Sequence, residues 1–599
     1  MKHIDARSHI NQKKIKSKLW ILPIAIFFMF LFSCSIATQF LAHTFNYQSG
    51  LGRPVYNKVY LPWKVITWRK AYYKEFKKEF DASFSVGVCT FGGWIAIVFL
   101  LKLMWEKRPK AIHDLHGSAH FASKSEILDM GLLGNSVLNT IHESNGNGVY
   151  VGSWKDKKNT HLLVHEGPEP VLAYAPTRSG KGVGLVIPTL LSWNHSVVVL
   201  DIKGENYELT AGWRKRYANN VIYKFDPSSN DENRTKFNPL DEIRLGTDYQ
   251  FADTQNIVLM IINPDGKGLK DHWDRTSQSF LVGVILHCKY IALSKGKAAT
   301  FSDVVTLLSD PKRSIDVVIK EMMTFEHHAE EKRVDSEIAA SARDMLNKSE
   351  KERSGVLSSA VSYLTIFRDP IVSKNMLSSD FKIRDLMNGK KPVSLYLVTP
   401  PGDQVRLMPI IRLIMNQIIK ILTEDMVYKH RLLLMLDEFP SLGKMEEFER
   451  ALAFISGYGI KAYIIAQDLN QIHASYGYHE SITSNCSVQI AYAPNKNETA
   501  ELLSKNLGSS TIVKKSFSSS GNKYSSLLHR TETIQEVQRP LLTPDECKRL
   551  PGIRKDKKGH IIDTGDMLIF VSGHAPIYGK KIMYFLNPIF KARSEVGLS

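Results

Sequence analysis

The sequence predicts an α/β protein whose large C-terminal part is built on a parallel, doubly wound sheet. Three observations carry this prediction: short continuous apolar runs, helical patterns between them, and a glycine-containing loop directly after one run. Continuous apolar strands indicate a sheet covered on both faces, and alternation with helices indicates parallel order. The strand-like runs are Val171–Tyr174, Ser196–Leu200, Val221–Phe225, Val393–Val398, Leu432–Leu436, Ala462–Ile465 and Val488–Tyr492.

Helical patterns follow several of these runs, notably at Arg406–Leu422, Lys444–Ile455 and Asn497–Leu507. Between Thr247 and Lys391 the strand signal vanishes and helical patterns dominate. We therefore expect an all-helical segment inserted between the early and late strands of one α/β domain.

Two uncharged runs near the N-terminus, Leu19–Ala42 and Ala82–Leu101, are long enough to cross about 30 Å of hydrocarbon. The alternative for the first run is a cleaved signal, because lysines precede it and the stretch ending in Cys34 resembles a lipoprotein cleavage box. Phe32 fits that box poorly and the apolar run continues beyond it. Two spans form a hairpin with both chain ends on one side of the membrane.

Charge is concentrated in this N-terminal part: residues 1–110 hold 18 Lys/Arg against 5 Asp/Glu, so they account for +13 of the net +18. The rest of the chain is not globally basic, so any nucleic-acid contact there is local. The charges flanking the spans do not set the orientation. The loop and acid pair that follow predict a nucleotide site, which requires the cytosol, so both termini are expected in the cytoplasm. Five scattered cysteines that form no Cys-x-x-Cys pair agree with such a reducing compartment.

The run Val171–Tyr174 leads into APTRSGKG, residues 175–182, which reads as a loop that cradles phosphates. In such loops successive backbone N–H groups and a helix N-terminus face the phosphates, and a lysine, here Lys181, reaches their β and γ oxygens. Two positions depart from G-x-x-x-x-G-K-[ST]: Ala175 replaces the first glycine, and Gly182 replaces the hydroxyl that binds Mg²⁺. The residues expected to hold the nucleotide are Pro176, Thr177, Arg178, Ser179, Gly180, Lys181 and Gly182. Pro188 predicts that the following helix is kinked or short.

An acid pair, Asp437 and Glu438, ends the run Leu432–Leu436. Asp437 is expected to bind Mg²⁺ through water, and Glu438 to orient and deprotonate the attacking water. The next strand ends in Gln467, whose side chain is placed to sense the γ-phosphate. An ordinary helix start and a solvated turn glutamine are the alternatives for these positions, and the strand spacing argues against them.

Three other features are weaker. The segment Asp201–Glu205 follows a buried strand at the same sheet edge and lines the cleft or forms a plain turn. His327 and His328 are interpreted as a solvated helix face without a metal role. The tract Gly508–Ser526 mixes Ser and Gly with Lys514, Lys515, Phe517, Lys523 and Tyr524, which suits single-stranded nucleic acid or a flexible hairpin loop.

Taken together, these blocks resemble the TraG/TraD-like coupling proteins of type IV secretion and conjugation. The resemblance spans residues 110 to about 590 and rests on blocks in the family's order: HGSAHFASKSEI, APTRSGKGVGLVIPTLLSW, DIKGENYELTAGWR, FDPSS, LLLMLDEFPSLG, SGYGIKAYIIAQDLNQI and RPLLTPDE. It implies a RecA-like P-loop NTPase domain with an inserted all-α domain and an N-terminal two-helix transmembrane hairpin.

The resemblance also implies a hexameric ATPase of the bacterial inner membrane that uses ATP and Mg²⁺. Its expected cargo is relaxase-bound single-stranded DNA, secreted protein effectors, or both, delivered to other subunits of the secretion channel. Gly182 fits the GKG form of the family. Water or another hydroxyl must then complete the Mg²⁺ shell, and Ser179 is the candidate for that hydroxyl. The arginine that a neighbouring subunit supplies in hexameric motors is unassigned, with Arg450, Arg530 and Arg539 as candidates.

The expected parts are a cytoplasmic segment 1–18, a span 19–42, a periplasmic loop 43–81, a span 82–105, the nucleotide domain at 106–246 and 392–599, and the all-α domain 247–391. Two other functions stay open at this point. One is a different membrane-tethered hexameric DNA pump, although the chain shows neither extra spans nor a C-terminal winged helix. The other is a nucleotide-binding receptor or scaffold without motor activity.

Overall fold

The computed structural model describes residues 21–106, 117–133, 140–143, 146, 148–157, 159–263, 268–269, 271–327, 332–520 and 529–598. The chain divides into two compact units, Met1–Ile112 and His113–Ser599. Each unit is described by itself.

In its described residues the N-terminal unit has two long helices joined by a folded connection, residues 45–76. The helices are Ile21–Thr44 and Lys77–Glu106, with a shorter helix at Lys64–Tyr72 between them. Both long helices are long and apolar enough to cross a membrane, which agrees with the two predicted spans. Residues 19–20 of the first predicted span lie outside the described residues.

Close packing holds the two long helices together. Ser83 donates a hydrogen bond of 2.8 Å to the carbonyl oxygen of Ala37. A Cβ atom on Gly87 would lie 3.2 Å from that of Ala37, so small residues set the helix separation. At the loop end, Trp68 and Tyr60 are buried with their rings 5.0 Å apart, and Trp68 donates to the carbonyl oxygen of Leu51.

An eleven-stranded mixed sheet organises the C-terminal unit, in the order β2-β1-β15-β14-β9-β3-β8-β7-β4-β6-β5. The strands of this unit are β1 (Val149–Asp156), β2 (Asn159–His165), β3 (Val171–Tyr174), β4 (Ser196–Asp201), β5 (Val221–Phe225), β6 (Val393–Val398), β7 (Leu432–Leu436), β8 (Ile460–Ala466), β9 (Val488–Ala491), β10 (Ser509–Ser520), β11 (His529–Pro540), β12 (Arg554–Lys555), β13 (Ile561–Asp563), β14 (Asp566–Val571) and β15 (Ile577–Lys580).

The seven strands from β9 to β5 in that order are mutually parallel. They correspond to the seven predicted runs, and β3, β4, β6, β7 and β8 are buried along their whole length, as continuous apolar strands require. The strands β14, β15, β1 and β2 extend the sheet in antiparallel fashion. The sequence patterns did not predict these four.

Helices connect and cover the strands. They are Lys124–Asp129, Ile187–Leu190, Glu205–Arg216, Gln250–Ile262, His272–Ser294, Phe301–Ser309, Ile315–Thr324, Lys332–Leu346, Glu350–Tyr363, Pro370–Asn375, Asp385–Asn388, Gln404–Leu422, Glu446–Ala451, Leu469–Tyr476, Ile482–Asn485, Asn497–Leu507, Pro544–Lys548 and Pro588–Ser594. The pattern at Lys444–Ile455 predicted too long a helix, because the structure ends it at Ala451 and makes a turn at Ile455–Tyr458.

The segment between β5 and β6 contains helices and turns but no strand within its described residues. Its buried side chains, such as Val284 and Ile338, join one continuous hydrophobic core with strand residues such as Val198 and Leu434. The helical content agrees with the prediction. That the segment is a domain of its own stays a prediction.

The interpretation of His327 as part of a solvated face is wrong. Its side chain is buried; Nε2 lies 2.8 Å from Nδ1 of His287, and Nδ1 lies 3.0 Å from a carboxylate oxygen of Asp335. The ring of Phe325 packs beside it, so aromatic contacts draw the imidazole inward from a charged stretch of sequence. His328 lies outside the described residues.

The Ser- and Gly-containing tract near residue 508 is not a simple loop. It forms β10, which pairs with β11 along twelve residues in an antiparallel ribbon. Lys514 is exposed on this ribbon, whereas the side chains of Lys515 and Phe517 are not described, and Lys523 and Tyr524 lie outside the described residues. Nucleic-acid binding by this tract stays a prediction.

Candidate nucleotide site

The phosphate-loop candidate begins where β3 leaves the middle of the parallel sheet. Its backbone takes left-handed conformations at Arg178 (φ 60°) and Gly180 (φ 91°). The amide N–H of Ser179 donates to the carbonyl oxygen of Pro176 at 3.1 Å, which closes the turn. Gly180 supplies the positive φ without strain, whereas the same conformation at Arg178 is costly for a residue with a side chain.

The helix after the loop is short and irregular, as Pro188 predicts. A π-helical turn, Gly182–Val186, runs into the α-helix Ile187–Leu190. Gly184 lies against the C-terminal part of the chain, because a Cβ there would sit 2.6 Å from the carbonyl oxygen of Ile582. Apart from its chain neighbours and the backbone of its own helix, no atom of the described residues lies within 4 Å of where a Cβ on Gly182 would be.

Lys181 and the acid pair converge in front of this helix. Lys181 Nζ lies 3.0 Å from Oδ1 of Asp437 and donates a hydrogen bond to Oε1 of Glu438. Glu438 follows β7 in a left-handed conformation (φ 63°, ψ 42°), which turns the chain sharply at the strand end. The structure therefore brings together the three charged residues that the sequence predicted.

Gln467 completes the group from the intervening strand β8. Its Nε2 donates to Oε2 of Glu438 at 3.2 Å, and its Oε1 accepts from the Thr177 hydroxyl at 3.0 Å. The order β3-β8-β7 explains this chain of contacts, because the carboxyl ends of adjacent parallel strands meet at one sheet edge. Gln467 thus links the phosphate loop to the acid pair.

The ion pair shifts the titration of its members. Burial acts to lower the pKa of Lys181, but attraction by Asp437 and the hydrogen bond to Glu438 outweigh it and raise that pKa above its ordinary value. Burial raises the pKa of Asp437, and the ammonium of Lys181 only partly offsets this. Lys181 is therefore a firmly protonated cation, and Asp437 is a carboxylate that gains from a nearby positive charge.

Asp201 ends β4, the strand next to β7, so the segment Asp201–Glu205 does reach the same sheet edge. Its carboxylate accepts from the amide N–H groups of Gly204 (3.0 Å) and Tyr207 (2.8 Å). Burial raises the pKa of Asp201, with a smaller contribution from Asp437. The carboxylate is therefore engaged with the start of the next helix rather than open to the cleft.

Oxygen donors suitable for Mg²⁺ are present. The hydroxyl of Ser179 is buried and has no hydrogen-bond partner among the described residues. Within those same residues no group of three His, Cys, Asp or Glu side chains could enclose a metal ion. Mg²⁺ keeps several waters and takes one or two carboxylates together with phosphate oxygens, so Asp437 and the Ser179 hydroxyl are donors of a suitable kind.

Lys581 is a residue of the loop surroundings that the sequence reasoning missed. Its ammonium lies 3.3 Å from the carbonyl oxygen of Ser179 and 4.1 Å from the centre of the Tyr492 ring. It is buried, and in the described part of the chain its ammonium contacts this carbonyl and this ring. Burial lowers the pKa of Lys581 to about 8. Its position depends on the β14–β15 hairpin, which no local sequence signal announces.

Two of the three arginine candidates have partners within their own chain. Arg450 is exposed and lies 3.4 Å from Glu447, and Arg539 pairs with Glu546. The side chain of Arg530 is not described, although its backbone belongs to β11. A role for any of them in a neighbouring subunit stays a prediction.

Comparison with known proteins gives the family. The family model described as "Type IV secretory system Conjugative DNA transfer" matches residues 120–597. Conjugal transfer protein TraG of Escherichia coli is 48% identical, over 94% of this chain and 91% of its own. Protein VirD4 of Agrobacterium fabrum (strain C58 / ATCC 33970) is 30% identical, over 81% of this chain and 68% of its own.

Among solved structures, the unbound form of the bacterial conjugative coupling protein TrwB aligns with a TM-score of 0.55 at 16% identity, over 80% of this chain and 95% of TrwB. TrwB in complex with ADP and Mg²⁺ aligns at 0.54 and 15%, over 79% and 96%. At this identity the similarity establishes the fold alone, which this chain shares with TrwB. The chain belongs to the type IV secretory system conjugative DNA transfer family and is a TraG/VirD4-type coupling protein.

Proposed function

We propose that this coupling protein hydrolyses ATP and uses the energy to move cargo from the cytoplasm to a type IV secretion channel. The observation that carries the proposal is the meeting of Lys181, Asp437, Glu438 and Gln467 at one sheet edge. A receptor that only bound nucleotide would need the lysine and the loop. It would have no use for a carboxylate held beside a γ-phosphate sensor.

Each residue has a role in this proposal. Lys181 leaves the acids and binds the β and γ oxygens of ATP, and the loop 176–182 surrounds the phosphates with backbone N–H groups. Asp437 would hold Mg²⁺ through water, with the Ser179 hydroxyl as a second candidate ligand. The ion would supply positive charge beside the transferred phosphoryl group.

Glu438 and Gln467 act on the attacking water. Release of Lys181 frees the Glu438 carboxylate, which then orients the water and accepts its proton. Gln467 contacts both Glu438 and Thr177 of the loop, so it can sense whether a γ-phosphate is present. The TrwB structures with a non-hydrolysable ATP analogue and with ADP and Mg²⁺ support the choice of cofactors.

We further propose that the two apolar helices anchor the protein in the bacterial inner membrane, with both termini in the cytoplasm and residues 43–81 in the periplasm. The nucleotide site requires a cytoplasmic location, and a two-helix hairpin returns the chain to its starting side. The support is the length and composition of helices Ile21–Thr44 and Lys77–Glu106.

The proposed assembly is a homo-hexamer around a central pore, with relaxase-bound single-stranded DNA, protein effectors, or both as cargo. The description of the family model, conjugative DNA transfer, supports DNA as a cargo. The helical segment 247–391 is the proposed cargo-recognition region, and other subunits of the channel are the proposed partners.

ATP hydrolysis by the full-length protein in detergent tests the proposal, measured with and without single-stranded DNA. DNA-stimulated hydrolysis that Lys181→Ala abolishes is the expected result. Exposed Lys591, on the C-terminal helix, provides a matched control as Lys591→Ala, which should keep the wild-type rate. Absence of hydrolysis above the Lys181→Ala level, in rings that bind ATP, would favour a cargo receptor that leaves hydrolysis to partner proteins.

A further inference from the structure

The N-terminal unit contains an apolar cavity that the nucleotide chemistry does not use. It has a volume of about 350 Å³ and lies between the two long helices and the overhanging helix Lys64–Tyr72. The cavity lies on one face of the hairpin, beside the point where Ala37 and Gly87 bring the helices together. Phe30, Cys34 and Phe91 line its deep part.

A single cation lies at the other end of this cavity. Arg69 lines its rim, with its guanidinium 4.8 Å from the centre of the Tyr73 ring and 5.1 Å from that of Phe84. Such stacking fixes the planar guanidinium and leaves its edge free to donate hydrogen bonds. Among the described residues no carboxylate lies within ion-pair distance of Arg69; Asp81 instead accepts from the Tyr73 hydroxyl at 3.0 Å.

The positions of Arg69 and the cavity along the helices match the order of headgroup and acyl-chain regions in one leaflet of a bilayer. Phe84 lies near the start of the second apolar helix, where the membrane interface is expected, and Phe91 is seven residues further along. At about 1.5 Å per residue, the cavity extends about 10 Å from the guanidinium toward the membrane interior. A phosphate at the interface and the upper part of an acyl chain below it have this spacing.

From this geometry we propose that the cavity binds one anionic phospholipid, with its phosphate on Arg69 and an acyl chain against Ala37, Gly87 and Phe91. Charge complementarity selects a lipid over a second apolar helix, because a helix would bury the guanidinium without a counter-charge. The basic composition of residues 43–81, with 8 Lys/Arg against 3 Asp/Glu, adds attraction for anionic headgroups.

The proposal rests on the membrane anchorage proposed above, and the two can fail separately. Extraction of the protein from membranes by detergent but not by high salt or alkali tests the anchorage. Lipid selectivity is then tested on the purified full-length protein in delipidated detergent. Its thermal unfolding is followed with phosphatidylglycerol, with phosphatidylcholine, or with inorganic phosphate.

Phosphatidylglycerol is expected to raise the melting temperature of the wild type more than phosphatidylcholine does, with no effect of inorganic phosphate. Arg69→Gln should weaken phosphatidylglycerol binding about tenfold, as loss of a charged hydrogen bond does, and Arg69→Lys should recover part of it. Exposed Lys70 is adjacent but is not part of the cavity, so Lys70→Gln is the matched control.

Cys34→Phe provides a second variant, since it fills the cavity and leaves Arg69 in place. It should reduce the phosphatidylglycerol effect while ATP hydrolysis persists. Three results would overturn the proposal. The first is equal stabilisation by both phospholipids, and the second is stabilisation by inorganic phosphate equal to that by phosphatidylglycerol. The third is a Cys34→Phe variant that alters the oligomeric state and keeps the full lipid response.

Discussion

Lys181 Nζ lies 3.0 Å from Oδ1 of Asp437 and also donates to Oε1 of Glu438, so the phosphate-loop lysine holds both acids of the site. A nucleotide must therefore compete with two carboxylates for one ammonium. If one acidic charge is removed, Lys181 should leave the acids more easily and bind nucleotide. Such a variant can therefore change nucleotide binding and hydrolysis in opposite directions.

Glu438→Gln is expected to bind ATP at least as tightly as the wild type and to lose hydrolysis by about 10²–10⁴-fold, the usual contribution of a general base. Fluorescent nucleotide titration and phosphate release measure the two effects. Glu449→Gln, on the helix after the acid pair, serves as a comparison. Hydrolysis at the wild-type rate in Glu438→Gln would show that another group activates the water.

Gly182→Ser should fold normally, because the new Cβ has open space around it in the described part of the chain. The added hydroxyl occupies the place where P-loops carry a Mg²⁺ ligand, so the Mg²⁺ concentration for half-maximal hydrolysis should fall severalfold. Gly182→Ala adds the same Cβ without oxygen and should leave that concentration unchanged. An equal shift in both variants would contradict a direct contact with the metal ion.

Lys581→Met is expected to raise KM for ATP roughly tenfold, because it removes a charged hydrogen bond that holds the Ser179 carbonyl. The value of kcat should change little, since Lys581 positions the loop and does not contact the reacting groups. Lys581→Arg should restore part of the affinity. A KM that stays at the wild-type value in Lys581→Met would show that the loop holds its shape without this contact.

The pH dependence of Lys581→Met offers a second check. Burial lowers the pKa of Lys581 to about 8, so its charge is present below that pH and is lost as the pH rises through it. The difference in KM between wild type and Lys581→Met should therefore be largest near pH 7 and should shrink above pH 8.

Stability should rise with pH because of Lys461. This lysine is buried on β8, where its ammonium donates to the carbonyl oxygens of His165 and Gly167, and burial lowers its pKa to about 7. Between that value and its ordinary pKa of 10.5, the unfolded chain holds a proton that the folded chain lacks. Stability then increases by about 1.4 kcal/mol per pH unit for this group.

The melting temperature measured from pH 7 to pH 9 tests this dependence. It should rise for the wild type and rise less steeply for Lys461→Met, with Lys591→Met as a control on the exposed C-terminal helix. Parallel curves for wild type and Lys461→Met would mean that Lys461 keeps its proton in the folded protein.

That the candidate site residues lie together could be predicted, because each lies next to a strand that the local pattern defines. Lys181, Asp437 and Gln467 all follow buried apolar runs, and parallel order is sufficient to bring such ends together. Lys581 follows β15, whose four residues IYGK show no apolar run, and whose neighbour β1 lies more than 400 residues earlier in the chain. Pairing over such a separation leaves no trace in a short window of sequence.

The packing of the helical segment 247–391 could not be predicted from its sequence pattern. Periodicity indicates helices, as at His272–Ser294, but it does not reveal what their apolar faces cover. The structure packs Val284 and Ile338 into the same core as the sheet. Removing the whole segment would expose that core, so substitutions on its surface are a better test of cargo recognition than deletion.

The end of the chain belongs to the wall of the nucleotide site. Ile582 lies against Gly184, and buried Arg593 donates to the carbonyl oxygens of Leu191 and Thr140. The phosphate-loop candidate therefore lacks part of its wall until β15 and the residues after it have been translated. Because the strands β3 and β15 are so far apart in the chain, the site is assembled only after both chain segments have left the ribosome.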